Sequence, residues 1–125
     1  MAERKIKVLL VEDSATMRRA VQIVLAGEPY SLTTTPQGDE ALSIAHEIVP
    51  DLVIADLSLA DKDGYEICRE LREDPILCGV PVLLLHGSSV QFDEARAEQV
   101  QATGAIAKPF ASDELLEKVA QLTRG

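Results

Sequence analysis

At 125 residues, 46% of them hydrophobic, the chain is sized for one domain with a real core, and its apolar runs are too short to span a bilayer. A net charge of −9 works against a phosphate backbone as partner, since that attraction draws on clustered Lys and Arg, so direct nucleic-acid recognition is disfavoured. Met1 to Lys7 is charged and leads into Val8 to Val11 and then acids, without the apolar core of a signal peptide, so a cytoplasmic location is expected; Cys68 and Cys78, outside any CxxC or His-rich context, read as reduced structural thiols.

Five short apolar or β-rich runs recur, each followed by a helical pattern. "IKVLLV" at 6–11 leads to Ser14, a cap for a helix with Met17, Val21, Val24 and Leu25 on one face and Gly27 and Pro29 as its stop. "YSLTTT" at 30–35 precedes an amphipathic helix marked by Ala41, Leu42, Ala45 and Ile48, ended before Pro50. "DLVIAD" at 51–56 is followed by Gly64 and a third helix with Ile67, Cys68 and Leu71 inward, ended by Pro75. "PVLLL" at 81–85 precedes a weaker Ala- and Gln-rich helix within 91–102. "AIAK" at 105–108 precedes a last helix with Leu115, Val119 and Leu122, opened by Ser112, Asp113 and Glu114 as cap and first-turn acids. Near-continuous apolar strands alternating with helices predict an α/β fold: a doubly wound, open five-stranded parallel sheet flanked by five helices, spanning 1–125 as one domain. In such sheets chemistry gathers beyond the carboxyl ends of the strands, near the topological switch point.

Glu12 and Asp13 follow the first predicted strand, Asp56 ends the third, His86 the fourth and Lys108 the fifth. Crowded carboxylates raise one another's pKa unless a cation neutralises them, and carboxylate oxygens with water suit Mg²⁺. Glu12 and Asp13 alone also read as ordinary helix-start acids. Asp56 closes the apolar run "LVIA", where an unpaired carboxylate is costly, and Lys108 offers a balancing cation just before Pro109; the four positions together point to a site.

With "LLVEDS", "LVIADLSLADKDGYE" and "AKPF" in this order, the chain resembles the receiver domain of two-component response regulators, including the single-domain chemotaxis-type members, over essentially its whole length. The resemblance implies the flavodoxin-like receiver fold and a signalling switch that promotes only its own phosphorylation and dephosphorylation, not an enzyme acting on other substrates. Asp56 would accept a phosphoryl group from a histidine kinase or phosphotransfer protein, with Lys108 contacting the phosphoryl oxygens. Mg²⁺ would be held directly by Asp13, mostly through water by Glu12, and by Asp56 and the backbone carbonyl of Ser58. The resemblance also implies a cis Lys108–Pro109 peptide and a downstream protein target docking over about 91–124.

The chain departs from the family at its switch pair: His86 stands where Thr or Ser is usual, and Ala105 where an aromatic is usual. Three readings of His86 stay open: it packs away while Asp56 still works, it replaces the hydroxyl as a donor to the phosphoryl group, or the chain is an atypical receiver acting as a phosphorylation-independent docking module. The space left by Ala105 is expected to be filled by the imidazole of His86. Ala60, where proline is frequent, is expected to loosen its loop, and Ser58 and Ser88 are expected to let water shorten the life of an acyl phosphate. His46 reads as a surface residue. A phosphatase of the haloacid dehalogenase type is disfavoured because Asp56 is followed by Leu57 and Ser58 and not by Asp-x-Asp, and no glycine-rich nucleotide loop follows the first strand.

Overall fold

The computed structural model describes residues 4–27, 29–87 and 91–124. Strands β1 (Ile6–Val11), β2 (Tyr30–Thr35), β3 (Leu52–Asp56), β4 (Val82–His86) and β5 (Gly104–Ala107) form one sheet in the order β2-β1-β3-β4-β5, with every adjacent pair parallel. Helices α1 (Ala15–Val24), α2 (Ala41–Ile48), α3 (Gly64–Glu73), α4 (Glu94–Gln99) and α5 (Ser112–Thr123) connect and follow the strands. The predicted five-stranded, five-helix doubly wound fold is therefore what the chain adopts.

Strand alternation divides the core. Leu9, Val11, Val53, Ala55, Val82 and Leu84 pack with Ala41 and Ala45 of α2, Ile67, Cys68 and Leu71 of α3 and Ala97 of α4. On the other face Val8, Leu10, Leu52, Ile54, Leu83 and Leu85 pack with Val21 and Leu25 near α1 and Leu115 and Val119 of α5. All residues of β3 are buried, which is why its sequence is apolar on both faces. The strand order reverses between β1 and β3, so the ends of these two strands flank a crevice.

Several boundaries differ from the sequence expectation. Lys108 lies one residue beyond β5, though its N–H still donates to the His86 carbonyl at 2.8 Å and so extends the ladder. Ser112 is not the cap of α5: the Ala111 carbonyl already accepts from the Leu115 N–H, which makes Ser112 the first helical residue. Gly64 likewise opens α3, and Asp63 caps it by accepting from the Glu66 N–H. Helix α4 is shorter than 91–102; Asp93 caps it through the Arg96 N–H, and the chain turns into the left-handed region at Gln101 (φ 59°). Ser14 caps α1 as predicted, accepting from the Met17 N–H, and Lys108–Pro109 is cis. Cys68 is buried and donates to the Val100 carbonyl, and Cys78 is exposed.

Arg72, near the end of α3, joins the two segments that lead into the paired strands β4 and β5. Its guanidinium donates to the carbonyls of Cys78 and Val80 in the α3–β4 connection, and to the Gln101 carbonyl and Thr103 Oγ1 before β5. Arg72→Ala is expected to cost about 2 kcal/mol, because hydrogen bonds from a charged donor contribute roughly 1.5–3 kcal/mol. Arg72→Lys should recover less than half of that loss, since a single ammonium cannot span several carbonyls. Chemical denaturation of the three proteins checks this; equal stability of the alanine variant would contradict it.

Candidate functional site

The crevice gathers the ionisable residues singled out from the sequence. Glu12 follows β1 and is fully buried, and its N–H continues the ladder to the Thr35 carbonyl. Its Oε2 accepts from the Ser14 N–H at 3.1 Å, so the start of α1 and the acid are tied together. Asp56, the last residue of β3, is 2% exposed. Lys108 arrives from the end of β5 and places Nζ 2.9 Å from Asp56 Oδ2 and 3.4 Å from Glu12 Oε1. Asp13 is exposed at the mouth, with Oδ2 accepting from the Ala60 N–H at 3.2 Å. One oxygen from each of Glu12, Asp13 and Asp56 lies within 4.8 Å of the others.

Ala60 takes part in the site through its backbone: a proline at this position would lack the amide that holds Asp13. Ser58 is exposed in the same loop, and its N–H donates to Asp56 Oδ1 at 3.2 Å. Leu57 and Leu59 are buried on either side of Ser58 and anchor the loop. Gly64 is required by closeness, since a Cβ there would sit 2.9 Å from the Asp56 carbonyl oxygen. The start of α3 is therefore packed directly on the end of β3.

The electrostatics follow from burial. The Glu12 carboxyl is pushed up to about 7, first by loss of water and then by the Asp56 carboxylate, against the lowering effect of the Ser14 N–H. Burial works to lower the Lys108 ammonium, but its hydrogen bond to Asp56 and the charges of Glu12 and Asp56 outweigh it and raise it, so Lys108 stays charged. One ammonium faces three carboxyl groups. That deficit, with an all-oxygen donor set, suits a hard divalent cation such as Mg²⁺.

His86 ends β4, one residue beyond Leu85, whose register partner is Asp56. Its half-buried ring stacks on Phe92 with centroids 4.8 Å apart and planes 22° apart. Phe92 lies 6.4 Å from the Tyr65 ring, and Arg96 caps the row 4.6 Å above Tyr65. The Asp93 N–H donates to Tyr65 Oη at 2.8 Å, and Arg96 pairs with Asp63 at 3.3 Å. His86 does not fill the space beside Ala105. That space is a cavity of about 320 Å³ that Phe92 helps to line, because stacking on Phe92 takes the imidazole out of it. Ser88 lies outside the described residues. His46 is on the surface as expected, but its Nε2 pairs with Asp74 Oδ2 at 2.5 Å.

Sequence reasoning missed the row of Tyr65, Phe92 and Arg96. The available signal was scarcity: the chain has two Tyr and two Phe in all, and one of each flanks the loops around Asp56 and His86.

A family model described as the response regulator receiver domain matches residues 8–120. The chain is 33% identical over 98% of its length to a Guillardia theta protein named probable transcriptional regulator ycf27, covering 47% of that protein. It spans about half the length of the curated relatives it matches. Among solved structures, it superposes with a TM-score of 0.86 on the chemotaxis protein CheY4 of Vibrio cholerae, at 28% identity over 94% of this chain and 98% of that one. The same TM-score, at 26% identity over 97% and 99% of the two chains, relates it to the receiver domain of the sensor histidine kinase PA1611 of Pseudomonas aeruginosa PAO1, which was solved with a magnesium ion coordinated in its active site cleft.

Proposed function

Since the chain belongs to the response regulator receiver domain family, a family of signalling modules, we propose that it is a phosphorylation-dependent switch in which Asp56 is the phosphoacceptor. The observation that carries this reading is Asp56 itself: a carboxylate 2% exposed, 2.9 Å from a lysine ammonium and within reach of two further acids at the edge of the sheet.

In the proposed reaction a carboxylate oxygen of Asp56 attacks the phosphorus of a phosphohistidine on a histidine kinase or phosphotransfer protein. The P–N bond breaks, an acyl P–O bond forms, and the bonding pair goes to the ring nitrogen, so that the histidine leaves as neutral imidazole with the proton its other ring nitrogen already carried in the phosphohistidine. Lys108, already on Asp56 Oδ2, contacts the incoming phosphoryl oxygens and offsets their charge. Glu12, Asp13, Asp56 and the Ser58 carbonyl are the residues that would hold Mg²⁺, whose bound charge stabilises the transferring oxygens. Asp13 is kept at the mouth by Ala60, and Glu12 is aimed by Ser14. Residues 1–125 act as one receiver domain in the cytoplasm, and the phosphoryl group alters protein partners docking on about 91–124. Among the described residues no helix is long and apolar enough to cross a membrane.

Incubation with acetyl phosphate and Mg²⁺, followed by peptide mapping, tests the assignment; label on any residue other than Asp56 would sink it. Mg²⁺ alone is expected to raise the melting temperature, because a cation that binds only the folded site stabilises it by mass action. An unchanged melting curve at millimolar Mg²⁺ would contradict the four-oxygen site.

One observation favours a second reading, a phosphorylation-independent docking module: His86, at the switch position, is stacked on Phe92. His86→Thr is expected to lose about 1 kcal/mol of stacking and to shift the Phe92 resonances while Asp56 is still phosphorylated. If neither phosphorylation nor Phe92 responds, His86 has no part in the switch.

A further inference from the structure

The cavity beside Ala105 lies apart from the acid cluster, at the margin of the core: Ala97 is a core residue, and Phe92, Ala102 and Ala105 pack against that core. It opens between α4 and β5, with Ala97, Ala102 and Ala105 as small apolar lining, Phe92 as one wall, and Glu94 and Glu98 at the rim. We propose that it receives an apolar side chain presented by a cationic segment of the downstream protein. This rests on the reading that partners dock over about 91–124, and it adds the chemistry of that partner.

Size, preorganisation and charge support it. At about 320 Å³, the cavity sits at the lower end of the roughly 300–1,000 Å³ of ligand-sized pockets, room for a large apolar side chain. Its floor is open because Ala102, after the end of α4, and Ala105 of β5 contribute only methyl groups. Its aromatic wall is already fixed: Phe92 is stacked on His86 and lies against Tyr65, while the next residue, Asp93, is tied to Tyr65 Oη. A preformed wall lowers the ordering cost of binding.

The rim selects for positive charge. Glu94 and Glu98 are exposed and one turn apart, and Asp93 precedes them. Arg96, the cation of the same helix, is turned away onto the Tyr65 ring and Asp63. A second copy of this chain, with its net charge of −9, is repelled from such a face, and so is a nucleic acid. A basic segment with one large apolar anchor fits both the rim and the cavity. Through His86 the wall is also tied to β4, the strand that lies between β5 and the proposed phosphoacceptor strand β3 and whose Leu85 is the register partner of Asp56.

The test is an amide NMR titration with a short lysine-rich peptide bearing one phenylalanine. The same peptide with alanine for phenylalanine, and a glutamate-rich version, serve as controls. The proposal predicts shifts clustered on Phe92, Ala97, Ala102 and Ala105, lost with the alanine and glutamate peptides. Affinity should fall about tenfold or more, some 1.4 kcal/mol, in Ala105→Phe, which fills the cavity, and also in Glu94→Gln/Glu98→Gln, which touches only exposed side chains. Shifts scattered over the acidic surface would overturn it as electrostatic attraction only, and affinity unchanged in the double glutamine variant would overturn the selection for positive charge at the rim. Beryllofluoride with Mg²⁺ in the same samples separates the two readings. A response around Asp56 with no clustered peptide shifts sinks this inference alone; clustered peptide shifts with no response around Asp56 sink the switch and leave the pocket.

Discussion

Asp56→Asn is expected to abolish phosphoryl uptake from acetyl phosphate, read as the disappearance of the mass increment on the intact protein. The amide that replaces the carboxylate has no charged oxygen to attack phosphorus, and neither neighbouring acid is placed to substitute. Glu12 is fully buried, held by the Ser14 N–H and raised to about 7, so near neutrality it is a partly protonated and poor nucleophile. Asp13 is exposed, and one of its oxygens is engaged by the Ala60 amide. The variant should stay folded, because an asparagine can still accept from Lys108 and takes one buried negative charge away from Glu12. Retained labelling at Glu12 or Asp13 would contradict the assignment of the acceptor.

Lys108→Ala should be the most destabilising change at the site. It removes the cation that lies 2.9 Å from Asp56 and 3.4 Å from Glu12, leaving two buried carboxyl groups without a positive charge. Breaking a buried pair from one side costs about 3–5 kcal/mol. Because Lys108 keeps some contact with solvent and Glu12 can take up a proton, the expected loss is at the lower end, about 3 kcal/mol. For a chain of this size that is a fall of about 10 °C in melting temperature. Saturating Mg²⁺ should recover much of it, since a divalent cation neutralises the same carboxylates. A melting curve that is insensitive to the substitution, or a loss untouched by Mg²⁺, would show that the lysine does not balance these acids.

The fold was legible because its signals are local and repeated. Each apolar run of four to six residues sits between turn residues, and five such runs separated by helical patterns leave little choice but a parallel sheet covered on both faces. That Glu12, Asp13, Asp56 and Lys108 come together was legible for the same reason: each stands at or just beyond the end of a strand of one parallel sheet, and those ends meet at one edge. Short-range boundaries were harder. Whether Ala111 or Ser112 caps α5 depends on which carbonyl the Leu115 amide reaches, and that is set by the path of the chain after Pro109. Contacts between side chains distant in sequence were not legible. The pairing of His86 with Phe92, the bond from the Ala60 amide to Asp13, and the span of Arg72 across two connections depend on how loops meet in space. The expectation that His86 would occupy the space beside Ala105 failed on this point: steric complementarity allowed it, and an aromatic partner that sequence could not place drew the ring elsewhere.

The most direct test of the switch is a two-dimensional amide NMR titration with Mg²⁺ and then beryllofluoride, a phosphoryl mimic, using Asp56→Asn as the control. Shifts that spread from Asp56 through His86 and Phe92 to Ala105 and Lys108, and that vanish in the control, are the predicted result. Shifts confined to Glu12, Asp13 and Asp56, or present equally in Asp56→Asn, would contradict a phosphorylation-dependent switch and leave a receiver fold whose docking face is indifferent to its acids.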